Sequence, residues 1–137
     1  MSIEENKNIV RRYQELYNSN DLDRLIEVVS EDLLTPNIMP GIPPGLEGAK
    51  TAHQIMLAGF PDYQTVIEDI LAEGDKVAAR IKMMGTHTGE FMGIPPTGKQ
   101  ISFTGIYIAR IANAKIVEHW GEEDSVSLLQ QLGVLKM

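Results

Sequence analysis

The sequence predicts an α+β domain with helices packed on one face of a curved antiparallel sheet, and three observations point to it. Apolar residues recur at helical spacing in the first part of the chain, at Ile9, Tyr13, Leu16 and Tyr17 and again at Leu22, Leu25, Ile26 and Val29. From Tyr63 the period shortens to two, in "YQTVIEDILA", "KVAARIKMM", "KQISFTGIYIARI" and "KIVEHW". Helices first and antiparallel strands afterwards is the order of an α+β fold. With 137 residues the chain has the length of one core, so residues 1–137 are expected to form a single domain.

Each element has a local reason. Ser2 with Glu5 forms a capping box for a first helix that runs to "NSND". Asp21 can cap a second, whose apolar residues share a face that packs on the first. "PNIMPGIPPG" is loop, and Glu47 to Phe60 reads as a third helix. The strands then pair as two hairpins, turning at "EGD" and at "ANA", and "DSVSLLQQLG" is a short closing helix with Gly133 as its stop. The loop "GIPPTGKQ" has the glycine and lysine frame of a phosphate-binding loop, but Pro95 and Pro96 carry no N–H. Gln100 stands where a hydroxyl should be, and a strand pattern follows instead of a helix. It reads as a rigid turn into a strand.

Composition narrows the function. Twelve basic against nineteen acidic residues give a net charge of −7 with no basic cluster, so nucleic acid and anionic membrane surfaces are poor partners. Met1 to Asn18 carries charges throughout and does not read as a signal peptide, and no run of about 18 apolar residues occurs. Cysteine is absent. The expected location is the cytoplasm.

A curved sheet under helices encloses a cone-shaped pocket, and the side chains lining it alternate along the strands. The three histidines, His53, His87 and His119, are too far apart in sequence to form a local metal motif, and no nucleophile elbow exists. Proton transfer and simple binding remain. "EHWGEED" is the densest cluster of functional side chains, with His119, Trp120, Glu118, Glu122, Glu123 and Asp124. A regular strand puts Val117, His119 and Gly121 on one face and Glu118, Trp120 and Glu122 on the other. Asp124 directly precedes "SVSLLQQL", where a helix N-cap is wanted, and local sequence favours that role over catalysis. His87, in "GTHTGEF", reads equally as a loop side chain bonded to backbone or as a polar group at the pocket mouth. His53 reads as a packed or half-exposed helix residue. Tyr107 shares parity with Gly105 and Ala109 and can project into the space they leave.

The run "GTHTGEFMGIPPTGKQISFTGIYIARIANAKIVEHWGEEDSVSLLQQLG", with "FPDYQTVIEDILAEGDKVAARI" and "PGIPPGLEG" before it, resembles the SnoaL-like polyketide cyclases, also called ester cyclases. The resemblance implies the cone-shaped α+β barrel shared with ketosteroid isomerase and the nuclear transport factor 2 family, and a homodimer. It also implies ring closure of a polyketide ester by intramolecular aldol condensation, with neither metal nor cofactor. A carboxylate near the end of the last strand is the family's acid/base. The family's Asp falls at Gly121 here, its assisting His at Tyr107, and its early polar loop residue at Asn37.

The expectation is therefore a cofactor-independent enzyme acting on a hydrophobic, carbonyl-bearing small molecule. Asp124 is the expected acid/base with Glu122 as second, and His119 orients or shares the proton. Tyr107 and His87 hydrogen-bond substrate oxygens, and Trp120 supplies an apolar wall. Two rivals use the same fold: a non-catalytic module that binds a small ligand, and hydration or epoxide chemistry, which needs several polar groups converging on one water.

Overall fold

The structure is a computed structural model that describes residues 2–36 and 40–136. Helix α1 (Ile3–Asn18) begins with the capping box: the Ser2 hydroxyl accepts the Glu5 N–H, and the Glu5 carboxylate accepts the Ser2 N–H, both at 3.0 Å. Its buried face carries Val10, Tyr13, Gln14 and Leu16.

The next segment departs from the expected second helix. Asp21 makes no side-chain cap bond, Leu22–Glu27 winds as a short 3₁₀ helix, and the chain then enters strand β1 (Val29–Leu34). The physical reason is the β-branched pair Val28 and Val29, which a sheet edge accommodates better than a helix. Val29 pairs with Ile116, and the Ile116 N–H donates to the Val28 carbonyl at 2.8 Å. Helix α2 (Gly45–Gly59) starts two residues before, and ends one residue short of, the span expected from sequence.

Strands β2 (Gln64–Glu73), β3 (Lys76–Thr86), β4 (Gln100–Ala112) and β5 (Lys115–Glu123) follow, and α3 (Ser125–Gln131) closes the chain. The sheet order is β1-β5-β4-β3-β2. β2 to β5 pair antiparallel and β1 lies parallel to β5, so the sheet is mixed and is not purely antiparallel. Register irregularities at Ile67/Asp69 and Arg110/Ile111 bend it. The result is the cone-shaped α+β fold with an open sheet, its two edge strands unpaired with each other among the described residues.

Alternation along β4 decides what the concave face presents. Ile101, Phe103, Gly105, Tyr107, Ala109 and Ile111 are buried, while Ser102, Thr104, Ile106 and Ile108 face out. α1 packs against β2 and α2 against β1, so the two helices cover the concave side from opposite edges.

The far end of α2 is held by close approach of backbone to aromatic rings. A Cβ on Gly85 would lie 2.8 Å from the Cβ of Phe60, which is 0% exposed and has nowhere to move. Gly85→Ala is therefore expected to cost about 1–3 kcal/mol of stability and to lower the melting temperature by several degrees. A thermal melt followed by circular dichroism tests this, and an unchanged midpoint would show that Phe60 yields.

Candidate active site

Between the concave face and the helices lies a cavity of about 610 Å³. All four tyrosines of the chain, Tyr13, Tyr17, Tyr63 and Tyr107, line it together with His53 and His119. Aliphatic side chains such as Leu33, Ile81, Met83 and Leu128 fill most of the remaining wall. Among the described residues the acidic lining residues are Glu122 and Glu123, at the end of β5, and neither Lys nor Arg contributes to the wall.

The deep part is a packed aromatic cluster. The His119 ring stacks on Tyr107 with centroids 4.5 Å apart and tilts against Tyr13 at 5.9 Å. His53, on α2, contacts Tyr17 at 4.5 Å and Tyr63 at 5.9 Å. Its Nε2 lies 3.2 Å from the Asn20 side-chain oxygen, which can only accept, so Nε2 carries the proton. Burial pulls both imidazoles down to about 4, in each case against a backbone hydrogen bond that favours the charged form. Both rings are neutral at pH 7. Burial likewise pushes the Tyr17 phenol up to about 12 and raises Tyr13, Tyr63 and Tyr107, so all four hydroxyls remain protonated donors.

One of these hydroxyls is held in a chain of side-chain bonds. The Thr65 hydroxyl donates to the Gln14 carbonyl oxygen at 2.5 Å, which fixes the Gln14 amide, and Gln14 Nε2 then donates to the Tyr107 oxygen at 2.7 Å. With its oxygen accepting from Gln14, Tyr107 has its own proton to offer. Thr65 is anchored in turn by Asn18, whose oxygen accepts the Thr65 N–H at 2.9 Å and whose amide donates to the Thr65 carbonyl at 2.8 Å.

The structure brings His119, Tyr107 and Glu122 to the cavity and puts three other expected residues elsewhere. Asp124 is exposed at the start of α3, where its Oδ1 accepts the Ser127 N–H at 3.0 Å, and it does not line the cavity. Trp120 points to the outer face, 47% exposed, and donates from its ring nitrogen to Glu118, which also binds Arg110. His87 is 0% exposed outside the cavity lining. The Thr97 N–H donates to its Nδ1, and backbone bonds to Gly98 and Lys99 pin the "GIPPTGKQ" loop against it. Asn37 lies outside the described residues.

Sequence reasoning missed Gln14, Thr65, Tyr13, Tyr17, Tyr63 and Glu123 as lining residues. Gln14 had a readable signal, a polar residue one turn after Val10 inside the apolar stripe of α1. Glu123 had one too, since it continues the parity of His119 and Gly121 once β5 is extended beyond Trp120.

A family model for SnoaL-like polyketide cyclases matches residues 7–132 of this chain. The chain belongs to the SnoaL-like polyketide cyclase family. It is 30% identical over 129 residues to the aklanonic acid methyl ester cyclase DauD of Streptomyces sp. (strain C5), covering 91% of this chain and 80% of that protein. TsrD from Streptomyces laurentii superposes with a TM-score of 0.89 at 28% identity, covering 98% of this chain and 99% of that one. AclR from Streptomyces galilaeus, described as a candidate hydroxylase, superposes with a TM-score of 0.86 at 32% identity, covering 99% of this chain and 89% of that one. This member of the SnoaL-like family has Gly121 and Tyr107 at facing positions of the cavity wall, since the two pair directly across β4 and β5. Among the described residues no helix is long and apolar enough to cross a membrane, and no three His, Asp or Glu side chains group to hold a metal ion.

The two depressed imidazoles give a pH signature. A folded-state value below that of the unfolded chain means that protonation favours unfolding, so their contribution is complete above about 6.5 and is lost as the pH falls toward about 4. The melting temperature is expected to drop across that window, and the ring-proton NMR signals of His53 and His119 to titrate near 4. Midpoints close to 6.5 would mean that water reaches both rings.

Proposed function

We propose that this chain is a cofactor-independent cyclase that acts on a neutral, hydrophobic, carbonyl-bearing molecule by proton transfer at carbon. The observation that carries this reading is the composition of the cavity wall, which is apolar and aromatic and among the described residues holds no cation, with both acidic side chains gathered at the end of β5. A substrate bearing a free carboxylate would lose its hydration there without gaining a counter-charge, whereas an ester or ketone would not. The similarity to a cyclase of a methyl ester supports the same substrate class.

The chemistry follows from the donors present. A carboxylate at the strand end removes a proton from carbon beside an ester, and the electron pair left behind spreads onto the carbonyl oxygens. That carbon then attacks a ketone carbon of the same molecule, one C–C bond forms, and the alkoxide takes the proton. Nothing is oxidised or reduced, so substrate and product are isomers. Tyr107, its oxygen already accepting from Gln14, donates to the carbonyl oxygen on which charge develops. His119 is neutral, stacks on Tyr107 and orients the reacting end. Asp124 serves this site by fixing where β5 ends and α3 begins.

Deuterium incorporation at the acidic carbon of a panel of β-keto esters and fused-ring keto esters, followed by proton NMR, tests the reading. The wild type is expected to accelerate exchange, and Tyr107→Phe to slow it by about 10²-fold, mainly in kcat, because one donor to a developing oxyanion is worth that much. Binding of these esters without exchange would turn the cavity into a binding module.

The same reading includes a cytoplasmic homodimer, supported by the exposed Ile106, Ile108 and Trp120 on the outer sheet face, at 53%, 44% and 47% exposure. Sedimentation velocity is expected to show a dimer at micromolar concentration, and a monomer throughout would remove it.

A further inference from the structure

Resting on the carbon-acid reading above, we propose that Glu123 is the group that takes the proton from substrate carbon and returns it to the product oxygen. Four features of the strand end lead there. The β5 residues lining the cavity are His119, Gly121, Glu122 and Glu123, of which His119, Gly121 and Glu123 share one strand face and pair across the sheet with Ala109, Tyr107 and Gly105. Glu123 thus lies opposite a glycine. A Cβ at Gly105 would come within 3.3 Å of Glu123 Cγ and 3.1 Å of Met83 Cε, so the missing side chain is the space in which the glutamate lies across β4. The two neighbouring carboxylates are placed differently: Asp124 caps α3, and Glu122 is in register with the outward-facing Ile106.

The surroundings of this carboxylate bear on its protonation. Leu128 and Leu129 of α3 line the cavity above this strand end, and Met83 of β3 lies beneath it. The titratable group in electrostatic contact with Glu123 from a packed element is Tyr63, on the α2–β2 connection, while His119 lies four residues back on the same strand face and Glu122 and Asp124 are adjacent in sequence. The charge of Glu123 is one of the causes that raise the Tyr63 phenol, which places the two within electrostatic reach. Glu123 is an exposed residue at the cavity rim, and the partial removal of its carboxyl from water against the strand end raises it above the ordinary glutamate value. Among the described residues no lysine or arginine in the wall opposes that shift.

The bookkeeping of the step is closed. The substrate C–H bond breaks, its proton passes to Glu123, a C–C bond forms as the carbanion adds to the ketone carbon, and the Glu123 proton moves to the new alkoxide. The carboxylate ends as it began. Gly121 leaves the floor between Glu123 and His119 open, because a Cβ there would make only ordinary contacts, 3.4 Å to His119 and 3.7 Å to Tyr107. The substrate's reacting carbon can lie over that floor, between the proton acceptor and the Tyr107 hydroxyl.

The test compares wild type, Glu123→Gln and Glu123→Asp in the exchange assay, with a carboxyl-carbon NMR titration of the free protein. Glu123→Gln is expected to lose about 10²- to 10⁴-fold in exchange rate at an unchanged melting profile. Glu123→Asp keeps the carboxylate and should retain measurable exchange. In the wild type the rate should rise with pH through a midpoint above the ordinary glutamate value of 4.5, and one carboxyl signal, absent from Glu123→Gln, should titrate at that same midpoint. Wild-type exchange that Glu123→Gln leaves within threefold would overturn the assignment. So would equal loss in the Gln and Asp variants, which marks a structural position, or a Glu123 signal that titrates at the ordinary value. A wild type that binds the esters and exchanges none would instead overturn the carbon-acid reading itself, and the role of Glu123 with it.

Discussion

The pairing of β4 with β5 sets everything the cavity presents. Three consecutive pairs on one face, Ala109 with His119, Tyr107 with Gly121, and Gly105 with Glu123, put a large group beside a small one at each level. Because side chains alternate with a period of two, a slip of one residue would turn His119 and Glu123 away from the cavity and bring Trp120 in. The register irregularity at Arg110/Ile111 lies below these pairs, so it bends the sheet without disturbing their order. The hairpin turn at Asn113 and Ala114, both with positive φ, fixes where the count begins.

The helices then determine how dry that face is. α1 contributes Tyr13, Gln14 and Tyr17, and α2 contributes His53, so aromatic rings and one satisfied amide cover the deep end. Neutral imidazoles and protonated phenols result from the same burial. A site of this kind works through fixed dipoles, which need no reorganisation when charge appears on a substrate oxygen.

Much of this was legible from residue spacing. The change from helical to alternating period marks the α+β order, the capping box at Ser2 and Glu5 forms as expected, and the closing helix begins where Asp124 predicts. The second helix was not legible, because Leu22, Leu25, Ile26 and Val29 fit a helical face while the partner that makes Val29 a strand residue, Ile116, is distant in sequence. The site was half legible. Parity separated His119 from Trp120 without deciding which face the cavity takes, the strand was expected to stop before Glu123, and a carboxylate beyond a supposed strand end has no assigned face. Trp120 illustrates the limit of composition, since a single large aromatic suggests an apolar wall of the pocket, yet its parity with Glu118 puts it on the outer face beside the Arg110 ion pair.

The parallel contact of β1 with β5 also governs the order of assembly. β2, β3, β4 and β5 can each find a partner across a short connection, but Val29 must wait for Ile116, which leaves the ribosome only after most of the chain. Closing so long a loop delays that pairing relative to the hairpins. α2 packs on β1, so one helical wall of the cavity depends on that long-range pairing. Glu123 thus stands on a strand whose outer edge is held by the longest-range pairing in the sheet.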